Sequence, residues 1–253
     1  MSSPIWTECG GKRNRVLYEG RPWRVVEAQH RISTRRLVDT DEEQAILEEL
    51  LDRTKPPVPA DCEGLHYLLF SPFRYPPLRR GSRFGTRHER SIFYGSEKLS
   101  TAMAEVAYYR LLFLEGTAAP LEPLVVDLSA FRVSVRTEEA IDLRAPPFDA
   151  WEEEISSPVS YAISQPLGRA MRADGIELAR FRSARDPVGG TNLAIFSPTC
   201  FVRKRPTVPE TWLCVATRRE VECSRRSYFE RQSLRFPREV FEVEGRLPAP
   251  AVE

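Results

Sequence analysis

The sequence has little of what marks a metal, disulfide or membrane protein. Its five cysteines, Cys9, Cys62, Cys200, Cys214 and Cys223, form an odd set with no C-x-x-C spacing. A disulfide framework is therefore not expected, and buried thiols in a reducing cytosol fit better. The three histidines, His30, His66 and His88, are too scattered for a zinc site, so no metal is expected. No apolar run approaches the roughly 20 residues that span a bilayer. The first residues also lack the basic-then-apolar order of a signal peptide. The expectation is a cytoplasmic, soluble chain with no membrane partner. An excess of one charge is missing too: 37 Lys and Arg stand against 36 Asp and Glu, a net charge of +1. A bulk nucleic-acid binder carries a basic excess or stripe, so no direct nucleic-acid partner is expected. A local basic cleft remains compatible with the count.

Within that balance lysine is scarce. Lys12, Lys55, Lys98 and Lys204 are the only ones, so nearly all positive charge is guanidinium. Its planar fork suits phosphate and carboxylate. The 253 residues suffice for one large domain, or one domain with an appended subdomain.

Residues 1–20 are polar, rich in Gly and Arg, and aperiodic; they read as a weakly ordered lead-in. Pro22-Trp23-Arg24-Val25-Val26 reads as a short strand. A helix follows at about 40–54, with Thr40 or Asp41 as its cap and Glu43 or Gln44 at the capping-box position. Ile46, Leu47, Leu50 and Leu51 have helical spacing, and the prolines from Pro56 end the element. Residues 65–70 fit a strand or a buried turn of helix equally well. Residues 71–90, broken by proline and rich in arginine, read as a long loop containing Gly81 and Gly85. Such loops carry function when a scaffold holds them.

Residues 91–95 form a strand, and Ser100 or Thr101 caps a helix running through Arg110 with Ala102, Val106 and Tyr109 on one face. Residues 124–128 form a buried strand, and a helix over 161–174 stops at Gly175. Further strands are expected at 176–182, 194–196, 212–216, 221–223 and 239–243, before a frayed tail. Strands outnumber helices and interleave with them irregularly, so the fold class is α+β with a mixed sheet.

Three blocks, taken in order, resemble the RES-domain family, named for an arginine, a glutamate and a serine. Trp23-Arg24-Val25-Val26, with Ala28 and His30, is similar to its opening strand. Gly81-Ser82-Arg83-Phe84-Gly85, then Ile92-Phe93-Tyr94, then Ser100-Thr101-Ala102-Met103-Ala104-Glu105-Val106 are similar to its arginine loop, tyrosine strand and glutamate helix. Gly175-Ile176, Arg182-Ser183-Ala184-Arg185, Gly189-Gly190-Thr191-Asn192-Leu193 and Phe196-Ser197-Pro198 are similar to its serine strand and the sequel carrying an asparagine. The similarity spans about 20–205. It implies a domain over 21–205 with an inserted helix at about 40–54, and a C-terminal strand extension over 206–253 packed on the same domain.

The resemblance implies a fold like the ADP-ribosyltransferases: a mixed, split β-sheet with flanking helices, binding NAD⁺ in a cleft between strands. It implies cleavage of the nicotinamide–ribose bond by phosphorolysis or hydrolysis. NAD⁺ is then the substrate, inorganic phosphate is an optional co-substrate, and no cofactor is needed. It implies too a small antitoxin partner of the Xre, helix-turn-helix type. The usual arginine loop reads Gly-Gly-Arg-Trp-Asn, whereas here Ser82 precedes Arg83 and Phe84-Gly85 follow. Both Arg24 and Arg74 are candidates for the family's first arginine, with Arg24 favoured.

Expelling nicotinamide develops positive charge on the ribose, as in glycoside hydrolysis. A preorganised carboxylate stabilises that charge, and Glu105 is the candidate. Arg24 and Arg83 would fork the two phosphates, with Arg74 as a further binding arginine. Tyr94 would offer an aromatic face to nicotinamide, and Ser183 would hydrogen-bond the substrate and orient it. Asn192 joins the substrate-binding set. A phosphate acceptor would need another cation, for which Arg74, Arg80 and Arg185 compete.

Singly, each residue has a plainer reading. Glu105 alone is a solvated helix residue, Arg24 an exposed strand position, Tyr94 a core aromatic, and Arg79-Arg80 a solvated loop. His66, Tyr94 and Glu105 follow the His–Tyr–Glu order of another ADP-ribosyltransferase branch, but His66 lies in an apolar stretch and reads as a satisfied core histidine. Two alternatives stand beside the NAD⁺-degrading enzyme. One is a mono-ADP-ribosyltransferase docking a protein target on the arginine-rich segment after Phe201; the other is a catalytically dead partner-binding module. The helix at 40–54 fits a lid, a dimer surface or packing, which leaves a homodimer open.

Overall fold

Alternation of buried and exposed side chains builds most of the strands. Along Glu210–Ala216, Trp212, Cys214 and Ala216 are fully buried while their neighbours are half-buried, the period of a strand with one face on a core. Thr191–Ile195 is buried at every position, as a central strand covered on both faces must be. The computed structural model describes residues 3–28, 38–227 and 232–249; His30 and the end of the tail, 250–253, lie outside them.

Among the described residues, ten strands form one sheet: β1 (Val16–Gly20), β2 (Trp23–Glu27), β3 (Phe93–Ser96), β4 (Leu124–Arg132), β5 (Val135–Asp142), β6 (Leu178–Arg182), β7 (Thr191–Ile195), β8 (Glu210–Ala216), β9 (Glu220–Arg225) and β10 (Ser233–Pro237). Their order is β1-β5-β6-β7-β3-β2-β4-β8-β9-β10. Only the β5–β6 pair is parallel. Six helices accompany them: α1 (Pro4–Glu8), α2 (Asp41–Thr54), α3 (Tyr67–Arg74), α4 (Leu99–Glu115), α5 (Glu152–Ile155) and α6 (Ser164–Ala173). The fold is α+β with a mixed sheet.

The sheet is split at its middle. β2 pairs with β4 through five residues and β3 with β7 through four. Between β2 and β3 the single pair is Trp23 with Ser96. Beyond that pair the two half-sheets diverge. α4 lies across the parting, against β2, β3, β7, β8 and β9. It is anchored by Met103, Ala107, Tyr108, Leu111 and Leu114, all essentially buried. Truncating Leu111 or Leu114 to alanine would cost about 2–5 kcal/mol by loss of transfer energy and cavity formation.

Several sequence expectations need correction. Residues 1–20 are not a loose lead-in. Ile5 and Trp6 are 3% and 4% exposed, the Trp6 indole donates to Asp174 at 2.7 Å, and β1 pairs with β5. The elements are five residues or fewer, too short to show a period. Residues 65–70 belong largely to α3, which runs on into the expected loop despite Pro72. β5 was not expected; of its four charged residues Arg136 and Glu138 are exposed and Glu139 and Asp142 half-buried, which breaks the alternation. Residues 239–243 are not a strand: β10 ends at Pro237 and a 3₁₀ turn, Arg238–Phe241, follows. The tail is held at least to Pro248, whose carbonyl accepts from the Tyr108 hydroxyl, and Leu247 is buried.

The start of α2 follows its sequence signature. The Glu43 amide donates to the Thr40 hydroxyl and the Thr40 amide to the Glu43 carboxylate, at 3.1 and 3.2 Å, a reciprocal capping box. Its apolar side chains do not enter the core, and Ile46 and Leu50 are more than half exposed.

Candidate active site

The divergence of β2 from β3 leaves a cleft of about 530 Å³, walled by β2, α4, the 81–85 loop and the ends of β6 and β7. Five residues singled out in the sequence line it: Arg24, Arg83, Tyr94, Glu105 and Asn192. Ser183 reaches it through Glu105.

Glu105 sits on the cleft face of α4 together with Ala102, Val106 and Tyr109, the helical face read from their spacing. Two hydrogen bonds converge on its Oε1. The Ser183 hydroxyl donates at 2.6 Å and the Asn192 side-chain amide at 2.5 Å. Both donate to a charged acceptor, where hydrogen bonds are strongest. Oε2 is left to accept from a ligand.

The expected substrate contact by Ser183 is not what the geometry offers. Its Oγ also accepts from the backbone amides of Arg185 and Asp186, at 3.1 and 3.0 Å. A hydroxyl has one proton and two lone pairs, and all three are used. Ser183 therefore orients Glu105. Its loop is tied back to α4, where Thr101 donates to Asp186 at 2.7 Å one turn before Glu105. A Cβ at Gly190 would stand 2.2 Å from the Thr101 hydroxyl, so that approach requires glycine.

The arginine loop is a tight turn. The Ser82 amide donates to the Gly85 carbonyl at 2.7 Å, and Gly81 has a φ of +67° with the Gly85 carbonyl where a Cβ would go. The Tyr94 hydroxyl donates to Ser82 Oγ at 2.9 Å and accepts from the Phe84 amide at 3.2 Å. Ser82, which departs from the usual glycine, is thus the acceptor that Tyr94 uses. Burial pushes the Tyr94 hydroxyl up to about 12, so it stays a neutral donor. Gln165 from α6 completes the support, donating to the carbonyls of Arg80 and Ser82, both at 3.1 Å. The sequence carried no sign of Gln165, because a glutamine near a helix start has many uses.

Arg83 is buried, with Nη1 shared between the carbonyls of Ile155 and Ser157 at 2.9 and 3.0 Å. Its guanidinium lies over the Tyr161 ring at 5.2 Å. Desolvation lowers its pKa. Arg24 donates to the Tyr94 carbonyl at 2.6 Å and lies 4.4 Å from the Phe93 ring centroid. Its Nε is enclosed and unpartnered, and desolvation pulls the group down to about 10. Arg185, which the sequence left undecided, also lines the cleft. It is 4% exposed, lies 3.6 Å over the Tyr108 ring, donates to the Pro158 carbonyl at 2.9 Å, and keeps Nη1 buried without a partner. At the far rim Arg110 is paired with Glu27 at 2.9 Å. Among the described residues, the inner cleft sets three guanidinium groups, two of them buried, around the carboxylate of Glu105. Enclosed charge is costly without a counter-charge, and the arrangement calls for an anionic ligand.

Arg74 is not part of this site. It ends α3, donates to the Pro56 carbonyl at 2.5 Å and lies near the Phe70 and Tyr75 rings. Neither Arg74 nor Arg80 lines the cleft; the Arg80 carbonyl accepts from Gln165. His66 caps α3, its Nδ1 accepting from the Leu68 amide at 3.3 Å, which is a structural task. No group of three or more metal-ligating side chains occurs among the described residues, and no helix there is long and apolar enough to cross a membrane.

Comparison with known proteins adds the following. A family model described as the RES domain matches residues 56–216. The match takes in Arg83, Tyr94, Glu105, Ser183 and Asn192 and runs on through β8. It begins after Arg24, whose place in the cleft is known from the fold alone. No curated protein matches the chain. Among solved structures, a chain of the M. tuberculosis MbcT–MbcA toxin–antitoxin complex is similar, at 14% identity and a TM-score of 0.46 over 81% of this chain and 88% of that one.

Proposed function

The chain belongs to the RES-domain family, and on that premise we propose that its cleft binds NAD⁺ and breaks the bond between nicotinamide and ribose. The observation that carries the reading is the charge arrangement: Arg24, Arg83 and Arg185 enclosed around one oriented carboxylate. A dinucleotide brings a diphosphate with two negative charges to the guanidinium groups, and beside it a sugar that turns cationic as its base leaves.

In this reading the C1′–N bond breaks with its electron pair going to nicotinamide, which departs neutral. Positive charge then gathers on the ribose ring. Glu105, fixed through Oε1 by Ser183 and Asn192, offers Oε2 to the ribose hydroxyls and stabilises that charge, an interaction stronger in the transition state than in the ground state. Arg24 and Arg185 line the cleft and bring guanidinium groups to the phosphate oxygens. Arg83, spending Nη1 on two carbonyls, contributes its remaining donors. An oxygen nucleophile, from water or inorganic phosphate, completes the exchange at C1′. For phosphate, Arg185 is the candidate cation, because neither Arg74 nor Arg80 lines the cleft.

The family premise also supports a toxin held in check by an antitoxin of the Xre type, a partner sought by co-expression. The reading as a dead binding module is disfavoured by an oriented carboxylate amid enclosed arginines, which partner binding does not require.

The test is NAD⁺ consumption by the purified protein, with and without inorganic phosphate, with products separated by chromatography. Nicotinamide with free ADP-ribose identifies hydrolysis. Nicotinamide with a phosphorylated ADP-ribose, formed only with phosphate, identifies phosphorolysis. NAD⁺ left intact under both conditions refutes the proposal.

A further inference from the structure

The two hydrogen bonds on Glu105 are set in different ways. Ser183 has its direction imposed by two backbone donors. The Asn192 amide does not: its ends are nearly the same size and exchange places by rotation about the last side-chain bond. A carboxylate only accepts, so Nδ2 toward Glu105 is attractive and Oδ1 toward it is repulsive.

The carboxylate makes that choice, and the other end of the amide secures it. The Ser96 hydroxyl donates to Asn192 Oδ1 at 2.6 Å. Ser96 is 2% exposed and Asn192 5%. The two face each other directly across β3 and β7, where opposed side chains on one face are about 5 Å apart. Ser96 is also the residue of β3 that pairs with Trp23, so it stands where the two half-sheets meet and its position is tied to the mouth of the split.

We propose that Ser96 is a positioning residue for the cleft. By donating to Asn192 Oδ1 it holds the amide with Nδ2 on Glu105, and thereby presents Glu105 as an oriented acceptor. Its hydroxyl proton is spent on Asn192, so Ser96 acts through Asn192 and Glu105 rather than on the ligand. The kinetic consequence rests on the NAD⁺-cleaving function proposed above; the structural half does not.

Two measurements separate them. In steady-state NAD⁺ consumption, Ser96→Ala should lower kcat about tenfold or more, the effect of a buried acceptor losing its donor, with KM changed by less than about twofold. Ser96→Thr keeps the hydroxyl and should restore most of kcat. In an Asn192→Ala background, Ser96→Ala should cost little further, because coupled residues are not additive. Equal losses in both backgrounds would overturn the proposal.

Independently of activity, the side-chain amide protons of Asn192, identified by their disappearance in Asn192→Ala, are read by ¹⁵N-labelled NMR. They should move and lose protection from exchange in Ser96→Ala and recover in Ser96→Thr. An Asn192 signal unchanged in Ser96→Ala refutes the positioning role, whether or not NAD⁺ is consumed. A responsive amide in a protein that leaves NAD⁺ intact would retire the proposed function and keep the orientation role.

Discussion

The Ser183 hydroxyl gives its single proton to Glu105 at 2.6 Å while accepting the backbone amides of Arg185 and Asp186. A serine with every hydrogen-bonding position occupied cannot also bind a substrate without breaking one of them. Its role is to aim the carboxylate, and this has kinetic consequences that differ from those of a binding residue.

Ser183→Ala should reduce kcat for NAD⁺ cleavage roughly 10- to 100-fold, the scale of losing one hydrogen bond to a charged group, and leave KM nearly unchanged. A rise in KM with kcat preserved would instead place Ser183 on the substrate.

Glu105→Ala should abolish NAD⁺ loss, a fall of at least about 100-fold, with the fold retained and the thermal midpoint lowered, because buried Ser183 and Asn192 lose their acceptor. Alanine is the best helix former, and the substitution removes no large apolar contact. Retained turnover would remove Glu105 from the chemistry.

Enclosed guanidinium groups should make the protein respond to anions. Pyrophosphate or ADP-ribose should raise the thermal midpoint in proportion to RT ln(1 + [L]/Kd), about 2.7 kcal/mol at a hundredfold excess over Kd. Arg185→Gln should lose most of that gain, because a guanidinium charge lining the cleft is then gone. A shift equal in wild type and variant would place the anion elsewhere.

Tyr94 should titrate late. Its folded pKa is raised, chiefly by burial, to about 12 from an ordinary 10, so its contribution to stability is whole below about pH 10 and is lost as pH rises through about 12. Phenolate absorbance in an alkaline titration of the folded protein should show a late component that Tyr94→Phe reduces. Tyr18, pushed to about 12, and Tyr108 and Tyr109, both raised, all chiefly by burial, remain. A late component untouched by Tyr94→Phe would contradict this.

Gly168→Ala should damage the site from behind. A Cβ there would sit 2.1 Å from the Phe84 carbonyl, a backbone contact that cannot rotate away, in the turn that carries Arg83. A loss of about 1–3 kcal/mol is expected from the overpacking, together with weaker anion binding. Gly175→Ala, with nothing within 4 Å of its Cβ but a φ of +80°, should cost stability by strain alone and spare binding. The prediction fails if the two behave alike.

Legibility in the sequence varied with how local each cause was. The capping box Thr40–Glu43 and the stop at Gly175 rest on neighbours a few residues apart and could be read directly. So could one face of α4, where helical spacing alone puts Ala102, Val106 and Tyr109 together. The segment before Gly20 was misread because α1 and β1 are too short for a pattern, and what orders them, Trp6 on Asp174 and β1 on β5, is distant in the chain. Arg74 was misread because an internal Pro72 suggested a loop where α3 continues. The task of Ser183 depends on counting its lone pairs against the Arg185 and Asp186 amides, a count that only coordinates supply.

By itself, then, the sequence determined the class of fold and, through the order of its arginine, tyrosine, glutamate and serine blocks, the family to which the chain belongs. Those depend on residue type, spacing and order, which are properties of the chain. The tertiary structure alone decided that Arg24 rather than Arg74 reaches the cleft, that Arg185 joins it, and that Ser96 stands behind Asn192. The reason is physical: β2 meets β3 at one residue pair, Trp23 with Ser96. The position of that parting results from strand pairings between segments some seventy residues apart in sequence, a quantity that no local window contains.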